Sequence, residues 1–188
     1  MRNFFCEQID EGILDKNFDF EKMKIPDNLY IWATMNSADQ GVFPMDTAFK
    51  RRWDFEYMGI DEGVTDEYKK IKIKLPGSEN PIYWNKLRKA INEKLSGENV
   101  NEDKLLGPYF ISNEILKYNR NNIVDEKKFN KAFENKVLMY LFEDAGKHCP
   151  NLFENCSDKS KFSSILNDFK VKGIKIFGFD SSEFEEED

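Results

Sequence analysis

Apolar positions follow two regimes along the chain. Up to about residue 60 they come in short continuous or alternating runs, and from residue 83 onward they recur at helical spacing. Leu29-Tyr-Ile-Trp-Ala-Thr-Met35, introduced by Pro26-Asp27-Asn28, is an unbroken apolar run of strand length, as suits a strand covered on both faces. Asp54 to Ile60 alternates polar with apolar and predicts a second strand. Between them Pro44 stands at a first helical position, and Met45, Ala48 and Phe49 share one face of a short, half-buried helix. Ahead of these, Phe4, Phe5, Ile9, Ile13 and Leu14 predict a helix or partial helix within residues 1–25, then a connector.

The second half reads as mainly helical. Residues 61–81 contain Gly63, Pro76, Gly77 and Pro81 and predict a loop and a candidate domain boundary. From Tyr83 to Leu95 the stripe Trp84, Leu87, Ile91, Leu95 marks a helix that ends at Ser96-Gly97. Asp125 offers an N-cap for the longest helix, to Lys147, with Phe129, Ala132, Phe133, Val137, Tyr140 and Leu141 on its apolar face and Gly146 and Pro150 at its end. Lys161 to Phe169 predicts a shorter helix and Gly173 to Phe179 a strand. Glu183 to Asp188 has too little apolar surface to order itself and reads as a solvated acidic tail.

Composition narrows the class. With 188 residues, 34% of them charged and 40% hydrophobic, the chain reads as soluble and globular, and its 17 Phe residues supply much of the core. A net charge of −7 argues against a general nucleic-acid coating surface. The run Lys69-Lys70-Ile71-Lys72-Ile73-Lys74 fits either a solvated edge strand or a local phosphate contact. Cys6, Cys149 and Cys156 have neither CxxC spacing nor a histidine partner set, so neither a disulfide framework nor a metal site is indicated and the compartment reads as reducing. The single histidine, His148, adjoins Cys149, and adjacent residues rarely face each other as a catalytic pair requires. No apolar run reaches membrane-spanning length, so the expected partners exclude a membrane and the expected location is cytoplasmic.

Chemistry concentrates after the first apolar run. Asn36 and Asp39 stand at its carboxyl end, where α/β sheets bind ligands; the same residues also suit an Asx-type turn. Lys50-Arg51-Arg52 closes the short helix, either complementing the helix dipole or offering guanidinium groups to a phosphate. Further on, Leu105-Leu106-Gly107-Pro108-Tyr109-Phe110 lies between helices, and its Gly-Pro step forces a turn that delivers two aromatic rings to a packed site.

Asn28-Leu-Tyr-Ile-Trp-Ala-Thr-Met-Asn-Ser-Ala-Asp39, followed by Asp46-Thr-Ala-Phe-Lys-Arg-Arg-Trp-Asp-Phe55, resembles the sensor-1 strand and arginine-finger helix of the McrB-type restriction NTPases of the AAA+ superfamily. Leu106-Gly-Pro-Tyr-Phe110 is similar to the Gly-x-x-Tyr-Phe element of that family's lid. The resemblance implies the α/β class: the C-terminal portion of an AAA+ P-loop NTPase core with an incomplete parallel sheet over 1–78, a mainly helical lid domain over 79–180 and the acidic tail over 181–188. By the same likeness Asn36 is the sensor-1 residue, Asp39 shares its signature, Arg51 and Arg52 are the finger candidates, and Gly107, Pro108 and Tyr109 lie near nucleotide. Gln40 replaces the family's usual basic residue, which leaves the choice of GTP or ATP open. The implied partners are a homo-oligomeric ring, a McrC-like endonuclease subunit and DNA, with GTP or ATP and Mg²⁺ as cofactors of the complete subunit.

The chain contains no Gly-x-x-x-x-Gly-Lys-Ser/Thr loop and no Asp-Glu strand end ahead of residue 26. It is therefore expected neither to bind nucleotide tightly nor to hydrolyse it by itself. The family's phosphate-loop strand would separate 29–35 from 54–60. Without it the two segments are expected to pair directly, to associate with another chain, or to be loosely held. The other reading of the chain is a non-enzymatic oligomerisation or regulatory module derived from the same family.

Overall fold

A computed structural model describes residues 27–34, 46–119, 121–147 and 149–186. The expected helix within 1–25, Met35, Asn36, Asp39, Gln40, His148 and the last two tail residues lie outside that set. The chain divides into two units, Met1–Asn36 and Ser37–Asp188.

In the first unit, residues 29–34 are not a strand. Leu29, Tyr30, Ile31 and Trp32 are all exposed, Trp32 to 88%. An apolar run holds strand form only where neighbours pair its backbone and cover its side chains; among the described residues none pairs with it.

In the second unit the first described element is α1, Thr47–Lys50, a single turn that buries no residue. The helix predicted here is present, but its Phe49 is exposed and meets the Trp53 ring, with centroids 5.9 Å apart. Among the described residues 54–58 likewise have no ladder partner, and Phe55, Tyr57 and Met58 are exposed, so the second predicted strand does not form.

Regular packing begins at residue 66. Thr65 caps α2, Asp66–Lys69, its hydroxyl accepting from the Tyr68 amide at 3.1 Å. The strand β1, Lys72–Ile73, pairs antiparallel with β2, Ile82–Tyr83, in the register Lys72↔Tyr83 and Ile73↔Ile82, and Lys72 also bridges Ile123 in parallel. Ile71, Ile73 and Leu75 are buried, while the Lys72 ammonium lies 4.5 Å above the Tyr83 ring. The lysine run thus begins at the end of α2 and is strand only at Lys72–Ile73, and the pairing of 72–73 with 82–83 makes the segment predicted as loop part of the core.

The helix α3, Trp84–Gly97, buries Trp84, Leu87, Ile91 and Leu95 completely, as the stripe predicts. It runs through Gly97, and Asn99 takes the left-handed conformation (φ 61°) that ends it. Asp125 caps α4, Glu126–Ala132, its carboxylate accepting from the Lys128 amide at 2.9 Å. The helix then continues in wider π-type turns over Phe133–Leu138 and Leu141–Ala145. Each wide turn shifts the inward face by one residue. Leu138 therefore joins Phe133, Val137 and Leu141 in the core, whereas Tyr140, predicted on that face, stays half-buried and donates to the Lys104 carbonyl at 2.9 Å. The centre of the core is aromatic: Trp84 meets Phe129 edge-on at 5.3 Å, and Phe133 stacks on Phe169 at 5.1 Å.

Phe169 comes from α5, Phe162–Lys172, which runs past the predicted end. Gly173–Phe177 is a 3₁₀ helix and not the predicted strand. Gly173 leaves α5 at φ +59°, where a Cβ would stand 1.8 Å from the Pro76 carbonyl oxygen, and consecutive Ile176 and Phe177 are both buried, which a strand would send to opposite faces. Part of the predicted tail is also ordered. Asp180 and Glu183 form a capping box on the turn Ser181–Phe184, and Phe184 is buried with its ring 5.6 Å from Phe179. One aromatic ring supplies the apolar surface that the acidic residues lack.

Candidate functional site

Of the residues singled out from sequence, Asn36 and Asp39 lie outside the described set, and the others fall into two groups. Arg51 and Arg52 follow α1 directly and are exposed. Arg52 folds back on its own helix, its Nη1 donating to the Ala48 carbonyl at 3.2 Å. Basic groups at a helix carboxyl end suit the dipole, and exposed guanidinium groups are also of the type that binds anions.

Gly107, Pro108 and Tyr109 form the better-built group. The loop that carries them is held by α3 from below. Asn92 spans the Leu106 peptide, accepting from its N–H at 2.8 Å and donating to its carbonyl at 3.0 Å. Arg88, fully buried, donates through Nη1 to the same carbonyl at 2.8 Å and through Nε and Nη2 to Asn85 Oδ1 at 3.2 and 2.8 Å. Its Nη2 also donates to Asp61 Oδ1, closing an ion pair. Burial pushes the Asp61 pKa up, but the hydrogen bond and charge of Arg88, with help from Lys89, outweigh it and hold the carboxyl below its ordinary value.

Two phenols fasten the loop from the other side. Tyr68 donates to the Pro108 carbonyl at 2.6 Å, and burial pushes its own pKa up, so it stays a neutral donor. Tyr109 donates to the Gly63 carbonyl at 2.8 Å. Glycine at 63 leaves room for this approach, since a Cβ there would stand 2.8 Å from the Tyr109 ring and push it aside. Tyr109 nevertheless stays 49% exposed, with its ring edge-on to Tyr68 at 6.0 Å. Phe110 turns the other way, packs 4.9 Å from Tyr140 and lies under the Lys136 ammonium. The loop therefore presents one aromatic ring outward and anchors one inward.

The polar seat of this loop was not among the residues nominated from sequence. A signal exists, because Asn85, Arg88 and Asn92 repeat at i, i+3, i+7 beside the apolar stripe of α3. Polar groups at that spacing next to a buried stripe imply a buried polar ladder.

Other chemistry is quiet. Cys149 and Cys156 are free thiols, each pushed up by burial, Cys156 to about 11, so neither is a thiolate at neutral pH. An open depression beside Phe142, Cys149, Phe153 and Lys159 brings together no catalytic pair. Among the described residues no cluster of three or more His, Cys, Asp or Glu is arranged for a metal ion, and no helix is long and apolar enough to cross a membrane.

No family model matches the chain, and no solved structure matches it. The chain is 41% identical over 167 residues to the Type II restriction enzyme BsuMI component YdiS of Bacillus subtilis (strain 168), a match covering 87% of this chain. It spans 44% of that relative's length. Over most of its own length, then, the chain is similar to a component of a restriction enzyme.

Proposed function

We propose that this chain supplies the sensor-1 segment, the arginine finger and the lid of a McrB-like AAA+ NTPase, the motor subunit of a DNA restriction system. In this reading the complete subunit holds GTP or ATP with Mg²⁺, forms a homo-oligomeric ring, and works on DNA with a McrC-like endonuclease partner. The observation that carries it is the Gly-Pro-Tyr loop, fixed by Asn92, Arg88 and Tyr68 yet leaving Tyr109 half in solvent. A loop tied this firmly while one aromatic ring stays open suits contact with a flat ligand group. The likeness to a restriction-enzyme component supports the biological setting.

The described residues fit part of the nucleotide's chemistry. Arg51 and Arg52 match a phosphate, whose transition-state charge a guanidinium neutralises with effects of about 10³–10⁵ in rate. No set of metal-holding carboxylates is found among them, so binding of Mg²⁺ is not assigned to these residues. Titration of the pure chain with GTP and ATP plus Mg²⁺ is expected to give neither micromolar binding nor turnover. In the complete subunit, Arg51→Ala and Arg52→Ala variants mixed with a finger-competent subunit lacking its phosphate-loop lysine test the finger. At least one of the two substitutions is expected to abolish the rescued hydrolysis; unchanged rescue with both removes the assignment.

A second reading, an oligomerisation or regulatory module without enzymatic activity, draws on a different observation. Leu29 to Trp32 and Phe55, Tyr57 and Met58 are exposed, which suits association more than catalysis. A complete subunit that assembles but hydrolyses neither nucleotide would favour this reading.

A further inference from the structure

We propose that Arg88 is a positioning residue: through Asp61 it ties the turn at 61–63 to the Leu106–Tyr109 loop, so that the two segments present Tyr109 as one unit. This deepens the nucleotide-site reading above and rests on it only for the ligand, not for the coupling.

The coupling follows from where the charges lie. Arg88 is fully buried, and all but one of its described acceptors are neutral: the Asn85 side chain and the Leu106 carbonyl. The negative group is Asp61, whose side chain is 46% exposed and belongs to the preceding segment. A guanidinium cannot shed its proton, so in a buried seat it depends on that carboxylate. Lys89 also approaches Asp61, at 3.6 Å to Oδ2, but from the solvent side and with half its side chain exposed. It can share the carboxylate without replacing it inside.

Without the Asp61 charge, the buried cation must draw in water or leave its seat, and either outcome loosens its hold on the Leu106 carbonyl. Two further links make this local disturbance reach Tyr109. The Tyr109 hydroxyl bonds to Gly63, two residues beyond Asp61, and Tyr68 holds the Pro108 carbonyl. Asp61, Gly63, Leu106, Pro108 and Tyr109 therefore form one hydrogen-bonded circuit across α3, with the Arg88–Asp61 ion pair as the charged joint.

Hydrogen exchange on the chain itself tests the coupling. Asp61→Ala is expected to lower protection of the Leu106 amide by about tenfold while Ile91 and Phe133 keep theirs, and Asp61→Glu to restore it. Unchanged protection at Leu106, or an equal loss at Ile91 and Phe133, overturns the inference, since the first shows no coupling and the second only global destabilisation. In the complete subunit, Asp61→Ala is expected to raise the nucleotide KM about tenfold with kcat little changed, again reversed by Asp61→Glu. Hydrolysis with unchanged KM also overturns the inference. Absence of hydrolysis in the unsubstituted complete subunit instead overturns the functional reading, and the exchange result on the chain then decides the coupling alone.

Discussion

At the scale of single residues, Arg88 and Asp168 show what a charged group does when its surroundings are fixed. Arg88→Met keeps the aliphatic volume but removes the buried donor of Asn85 Oδ1 and leaves the Leu106 carbonyl to Asn92 alone. An unpaired buried acceptor costs about 1–3 kcal/mol, so the variant is expected to lose about 2 kcal/mol in urea unfolding. A loss under about 1 kcal/mol would mean that water replaces the guanidinium without penalty. Asp168 accepts hydrogen bonds from the Ser157 amide and hydroxyl, both at 2.7 Å, and pairs with Lys172 at 2.8 Å. The Lys172 hydrogen bond, then those from Ser157, hold its pKa down at about 2. Because the folded value lies below the unfolded one, its contribution is complete above the ordinary carboxylate range and is lost as pH falls toward 2. A carboxylate titration followed by NMR should show the Ser157 amide moving with a midpoint near 2; a midpoint near 4 would show that the pairing is absent in solution.

At the scale of elements, the helices follow their sequence signals and the terminations follow glycine geometry. Gly146 donates to Leu141 at 2.8 Å, and a Cβ there would stand 2.2 Å from the same oxygen and 2.4 Å from Leu152 Cδ2. Gly146→Ala therefore forces the last wide turn to open and is expected to cost about 2 kcal/mol or more. Thermal unfolding checks it; an unchanged Tm would mean that the helix already ends earlier. Asp125→Ala removes one cap from an exposed terminus and is expected to cost about 1 kcal/mol, distinctly less.

At the scale of the molecule, stability is expected to be uneven. The aromatic core around Trp84, Phe129, Phe133 and Phe169 is fully buried, whereas 29–34 and 54–58 have no ladder partners among the described residues and expose apolar side chains. Hydrogen exchange should give strong protection over α3 and α4 and weak protection over 29–34 and 54–58. Strong protection of 29–34 in a monomer would mean instead that this run finds strand partners within the chain.

What sequence determined by itself was whatever local periodicity encodes. The stripe on α3 and the Asp125 cap are read from neighbours a few residues apart, and both stand in the structure. The Gly-Pro turn was likewise legible, since its residues admit few backbone forms. Tertiary structure decided what depends on distant groups. Leu29–Trp32 has the composition of a strand and is not one, because strand form needs partners and cover that no run carries within itself. Gly173–Phe177 is a 3₁₀ turn whose first residue lies where the distant Pro76 carbonyl leaves no room for a Cβ. The seat of the candidate loop joins Asp61, Arg88 and Leu106, and only packing brings a carboxylate, a guanidinium and a carbonyl so far apart in the chain within hydrogen-bond reach. Periodicity marks which face of a helix turns inward; what waits there to neutralise a buried charge is fixed by the fold.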